Sequence, residues 1–129
     1  MQVAAALDEI ERQHTLLAGR LESCATQAFA AAAPQAAGVM LRELLVELGL
    51  HFGLEEALMV DGAYDEFDHH RRQHIGIITE LALLLDRLGE ADDPGAFARG
   101  MDFVANWYRQ HVTHGDQALL AWLAARDSA

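Results

Sequence analysis

Apolar side chains recur along this chain at intervals of three and four, and no stretch alternates in the manner of a half-buried strand. That period predicts helices. In the first, Val3, Leu7, Ile10, Leu17, Leu21 and Cys24 share a face that runs to about Ala31. A second begins near Pro34, a residue well tolerated in a first helical turn, carries Leu41, Leu44, Leu45 and Leu48, and ends before Gly62. A third starts around Asp65, presents Ile77, Ile78, Leu81, Leu84, Leu85 and Leu88, and stops at Gly89. The fourth opens with Asp93 as cap and Pro94 in the first position, then offers Phe97, Met101, Val104, Trp107 and Tyr108. A short fifth, Gln117 to Arg126, contributes Leu119, Leu120 and Leu123. The alanine-rich run Ala28–Ala33 reads as a helix end. Four long helices with short connections predict an all-α fold, an antiparallel up-down four-helix bundle with a short C-terminal fifth helix.

The apolar stripes are interrupted, always by the same kind of residue. His14 takes an apolar position on the first helix. His51 and Glu55, one turn apart, do so on the second. His70 and His74 share a face of the third with Ile77, Ile78 and Leu81, and His111 follows Val104, Trp107 and Tyr108 on the fourth. One histidine on an apolar face is more often a hydrogen-bonded core residue than a ligand, and a lone His-x-x-x-His pair is common on solvated helices. Five histidines and a carboxylate on the inner faces of four helices are a different matter. Buried together without a cation they would be badly unsatisfied, whereas coordination turns the same groups into binding energy.

A second carboxylate is expected at Asp116. It follows His111 by five residues, which a straight α-helix does not bring to one face. The segment His111-Val112-Thr113-His114-Gly115-Asp116 looks like a helix end or a π-type turn that would swing Asp116 back toward the cluster. Its alternative role is an N-cap for the fifth helix. Five imidazoles and two carboxylates exceed the needs of one tetrahedral zinc. They suit two octahedral ions bridged by both carboxylates, with one coordination position open, and the nitrogen and oxygen donors favour iron over copper(I) or an iron–sulfur centre. His69, about 100° around the helix from His70, and His114 are expected in solvent, as is Glu56, since Glu55 is in phase with His51.

Composition narrows the partners. Twenty acidic against nine basic residues leave a formal net charge of -11, which repels phosphate backbones and anionic lipid and so excludes nucleic acid and membrane surfaces. The uncharged run from Ser23 to Leu41 is too weakly apolar, and is broken by Pro34, for a membrane span. The single cysteine, Cys24, excludes an internal disulfide and suits a reducing compartment. With an acidic opening and no basic leader, the expected location is the cytoplasm.

These residues resemble hemerythrin, the non-haem di-iron oxygen carrier, and especially its bacterial relatives. The likeness runs through Ile10-Glu11-Arg12-Gln13-His14, HFGLEEALM over residues 51–59, His70-Arg71-Arg72-Gln73-His74, and Trp107-Tyr108-Arg109-Gln110-His111 with Asp116. It covers nearly the whole chain as one domain, residues 1–129. The resemblance implies that His70, His74 and His111 complete one iron and that His14 and His51 bind the other. Glu55 and Asp116 would bridge the two together with an oxo or hydroxo group. The second iron would keep the vacancy and take O2, which the two ferrous ions reduce reversibly to hydroperoxide. Leu17, Phe52, Trp107, Tyr108 and Val112 lie within a turn of a ligand and are candidate walls of the O2 pocket. Two positions depart from the family: Glu11 stands where aspartate is usual, and Tyr108 where an aliphatic residue is usual. Tyr108 is then either a core aromatic with its hydroxyl at the rim, or a group whose O–H reaches bound ligand. Oxygen carriage, storage or sensing is the leading expectation. The alternatives are a di-iron oxidase, peroxidase or nitric oxide-handling protein, or the sensor domain of a longer chain.

Overall fold

A computed structural model of the chain describes residues 3–30, 34–88 and 94–127. Helix α1 spans Val3–Ala30, α2 Pro34–Gly62, α3 Phe67–Arg87 and α4 Pro94–Gln110. One π-helical turn, His111–Asp116, joins α4 to α5, Gln117–Asp127. The described residues contain no strand. The expected cap at Asp93 and stop at Gly89 lie outside the described residues. None of the described helices is long and apolar enough to cross a membrane.

Helix α1 packs against α2 and α4, and α3 packs against the same two, which closes a ring of four. The core falls into two apolar clusters. The larger gathers Leu17, Leu21, Leu41, Leu44, Leu48, Ile77, Leu81, Met101, Val104 and Tyr108. The smaller gathers Ile10, Leu58, Met59, Leu119, Leu120 and Leu123, with Phe67 against it. Along α1 the chain passes from the smaller cluster through His14 to the larger. Along α2 it goes from Leu48 through His51 and Glu55 to Leu58, and along α3 from Phe67 through His70 and His74 to Ile77. On α4 it returns from Tyr108 through His111 and Asp116 to Leu119. The helices therefore alternate in direction, and every one of them crosses the same polar level.

Helix α2 carries little amphipathic contrast because Val39, Val46, Leu50 and Val60 face outward while Leu41, Leu44 and Leu48 face in. Its end differs from expectation. Gly62 belongs to the last helical turn, and the left-handed residue is Ala63, at φ 57°. Tyr64 N–H donates to Met59 O at 2.9 Å and Ala63 N–H to Val60 O at 3.2 Å, the paired bonds of a Schellman termination. Packing explains the displacement, since a Cβ on Gly62 would stand 2.4 Å from the Trp122 ring of α5. This turn also delays α3, which starts at Phe67 and not near Asp65.

Two substitutions check this turn. Ala63→Gly removes the left-handed penalty of a Cβ and is expected to stabilise the fold by about 0.5–1 kcal/mol. Gly62→Ala is expected to destabilise it by about 1–3 kcal/mol, because Trp122 must move. Urea titrations of both variants give the signs, and equal stabilities would contradict the assignment.

Candidate metal centre

Each ring of the polar level is placed by helical periodicity. His14 sits between Ile10 and Leu17 on the buried face of α1, and His51 and Glu55 are one turn apart on α2, as are His70 and His74 on α3. His111 and Asp116 are five residues apart, the repeat that a π turn brings to one side, so the widened turn does for this pair what four residues do elsewhere. Gly115 lets the turn pass close to the rings: a Cβ there would lie 3.3 Å from His111 Nδ1, a tight contact, and 3.6 Å from His70 Cε1, an ordinary one. Helix runs without a break through Asp116 into α5, so the carboxylate stands mid-helix and not as a cap.

All seven side chains are buried, Glu55 and Asp116 completely. Their contacts fall into two sides. Glu55 Oε2 lies 3.2 Å from the Nε2 atoms of both His14 and His51. Its other oxygen, Oε1, lies 3.3 Å from His70 Nε2 and 3.0 Å from His74 Nε2. Asp116 divides in the same way, with Oδ2 at 2.8 Å from His14 and Oδ1 at 2.9 Å from His70 and 3.0 Å from His111. Each carboxylate thus turns one oxygen to each side. The donors form two groups that share both carboxylates: Glu55, His70, His74, His111 and Asp116, and His14, His51, Glu55 and Asp116.

Hydrogen bonds join Glu55 to the Nε2 atoms of His14 and His70, but they do not satisfy the whole cluster. His51 Nε2, His74 Nε2, His111 Nε2 and both Asp116 oxygens are buried without a hydrogen-bond partner. Orphaned atoms of that kind cost about 1–3 kcal/mol each, so the fold tolerates them only if something else satisfies the lone pairs. The outer ring nitrogens say which lone pairs those are. His51 Nδ1 donates to Gln13 Oε1 at 2.7 Å, His111 Nδ1 to Gln73 Oε1 at 2.6 Å and His74 Nδ1 to Glu56 Oε2 at 3.0 Å. With the proton on Nδ1, the Nε2 lone pair of each ring faces inward, the tautomer a metal requires. The donor set fits a pair of divalent or trivalent cations.

Without a cation, protons hold the cluster together. Burial disfavours a charged His14, but contact with Asp116 and Glu55 outweighs it and holds the ring up at about 9. His70 is raised to about 9 by the same balance. Burial pushes the Glu55 carboxyl up, yet His14, His51, His70 and His74 bring it well below the usual carboxylate range. Asp116 is also lowered: His111, His14 and His70 overcome its burial.

The walls are aromatic and aliphatic. Phe52 stacks on His74 with centroids 3.9 Å apart and planes 8° apart. Leu17 and Tyr108 are buried beside it, while Val112 is half-buried. Tyr108 is wholly enclosed, so its hydroxyl is not at a rim, and the oxygen has no hydrogen-bond partner among the described residues. Burial, with Asp116 and Glu55 adding to it, keeps that phenol protonated far above its ordinary range. Trp107 is half-buried and lies over Gly76, on a cleft of about 390 Å³ outside His70 and His111. A second cleft, of about 280 Å³, opens outside His51, lined by Leu16, Leu17 and Leu50 on one hand and by Arg12, Arg20 and Glu47 on the other. His69 and His114 are exposed.

Sequence reading missed the outer partners. Glu56, expected in solvent, is half-buried between His74 and Arg71, because one residue beyond Glu55 turns it toward α3. Gln13 and Gln73 were also passed over. Their signal is the triplet Arg-Gln-His at residues 12–14, 72–74 and 109–111, in which a glutamine one residue before a histidine points at a neighbouring helix. The third copy over-predicts, since Gln110 is exposed. A family model described as Hemerythrin HHE cation binding domain matches residues 5–123. No curated protein and no solved structure matches the chain.

Two measurements bear on the cluster. With His14 and His70 raised from 6.5 to about 9, their stabilisation of the metal-free fold is complete below the lower value and lost as pH climbs through the higher. Circular-dichroism melts of stripped protein should therefore show a lower Tm at about pH 9.5 than at about pH 6.5; a flat or rising profile contradicts the ion-pair network. Glu56→Ala is expected to lower metal affinity by about 10- to 100-fold with helical content intact. Unchanged affinity would remove Glu56 from the centre.

Proposed function

This chain belongs to the hemerythrin HHE cation-binding family, and on that premise we propose that it binds dioxygen reversibly at two iron ions. The ligands in this reading are His14, His51, Glu55, His70, His74, His111 and Asp116. The observation that carries it is the unequal division of donors around two shared carboxylates, five on one side and four on the other. Octahedral ions held by these sets would differ by one protein donor, which would leave the open position on the side of His14 and His51. The iron pair supplies the two electrons that a bound dioxygen borrows and returns.

The rest falls to the chain. Neutral imidazoles outnumber carboxylates, which tempers the gain from a more highly charged, oxidised centre and so supports return of the electrons. Gln13, Gln73 and Glu56 fix the ring orientations through Nδ1. Phe52 and Leu17, each 2% exposed, keep bulk water and its protons off the ligand side. The cleft outside His51, where Leu16, Leu17 and Leu50 stand beside Arg12, Arg20 and Glu47, supports approach of a small molecule from that side.

Anaerobic loading should give two irons per chain, one for each donor group. Stopped-flow mixing of the diferrous protein with oxygen is then expected to produce a long-lived coloured species that fades under vacuum and returns on re-exposure. Rapid one-way oxidation would instead mark turnover and overturn carriage. Glu55→Ala withdraws a donor from both groups and is expected to lower iron content more than His51→Ala, which touches one. Equal losses would contradict shared ligation.

A further inference from the structure

Tyr108 is a wall residue that buries a polar atom completely, and that atom is stranded. The side chain is fully buried on α4, one turn before His111, and its hydroxyl has no hydrogen-bond partner among the described residues. The ring lies edge-on to His14, centroids 6.5 Å apart at 72°, and 6.3 Å from Phe52. His14 belongs to the four-donor group, the side assigned the open position. An aliphatic side chain would fill this apolar volume without an orphaned oxygen, so packing alone gives no reason for the hydroxyl.

We propose that the Tyr108 hydroxyl is a ligand-gripping donor: it gives a hydrogen bond to the small molecule seated beside His14 and His51, and so favours ligands that are negatively charged or electron-rich at the atom facing the phenol. This rests on the oxygen-binding reading above. Dioxygen meets the requirement only once electrons have moved onto it, so the phenol stabilises the loaded state over the empty one. Tyr108 acts without giving up its proton, as a fixed dipole on a rigid helix. The same hydroxyl is a liability in the empty protein, where nothing accepts from it. A residue kept for structure would show the reverse pattern.

Azide is a suitable probe, being a small linear anion that accepts hydrogen bonds. Tyr108→Phe is expected to bind azide about ten-fold or more weakly in the oxidised, iron-loaded protein, since a hydrogen bond to a charged acceptor is lost. Its iron content should equal that of the unmodified chain, and its Tm without azide should be the same or higher. In the unmodified protein, transfer to D2O should shift the asymmetric stretch of bound azide, a readout that needs no variant. Equal azide affinities, or no isotope shift, would overturn the hydroxyl's role and leave the oxygen-binding reading standing. A lower Tm with unchanged azide affinity would assign Tyr108 to packing. Failure of the iron-loaded, unmodified chain to bind azide at all would overturn both.

Discussion

The structure depends on the burial of seven ionisable side chains at one level of an otherwise apolar bundle. Five imidazoles and two carboxylates occupy a level where each helix would otherwise place a leucine or valine. Desolvating such groups is unfavourable, and breaking one partner away from a buried charge is worse still. The cost is met by mutual neutralisation: Glu55 and Asp116 supply negative charge, and the rings answer it either as imidazolium or as ligands to a cation. Everything else about the site follows from having to satisfy these seven groups at once.

The bundle makes that possible by geometry. Alternating helix directions bring the polar turn of every helix to the same height, between a larger apolar cluster on one side and a smaller one on the other. Those clusters exclude water, which strengthens the electrostatics inside and makes any unsatisfied atom more expensive. The π turn interrupts the α-helical run at the level of the cluster. It draws His111 and Asp116 onto one face while letting α5 close the smaller cluster beneath them.

Orientation comes from outside the buried polar level. Each of three rings is held by an acceptor on another helix: Gln13 of α1 holds a ring of α2, Glu56 of α2 holds one of α3, and Gln73 of α3 holds one of the π turn. The helices are thereby stitched around the centre, and the ring tautomers are settled before any ion arrives. Two of the acceptors are neutral and one is a carboxylate. The side with three histidines therefore has a carboxylate, itself paired with Arg71, among its outer acceptors, whereas the outer acceptor on the side with two is a neutral amide.

By itself the sequence determined the helices, their inner faces and the seven convergent donors, because helical periodicity is a local property and a polar residue on an apolar stripe stands out against it. It even marked 111–116 as irregular, since a five-residue interval cannot serve a straight α-helix. Tertiary structure alone decided which carboxylate oxygen faces which ring, that Glu56 turns toward His74, that Tyr108 hides its hydroxyl, and that Ala63 takes the left-handed turn in place of Gly62. Each of those depends on a neighbour distant in sequence, such as Trp122 against Gly62. Periodicity says which side of a helix a residue occupies; only the packing of helices says what meets it there.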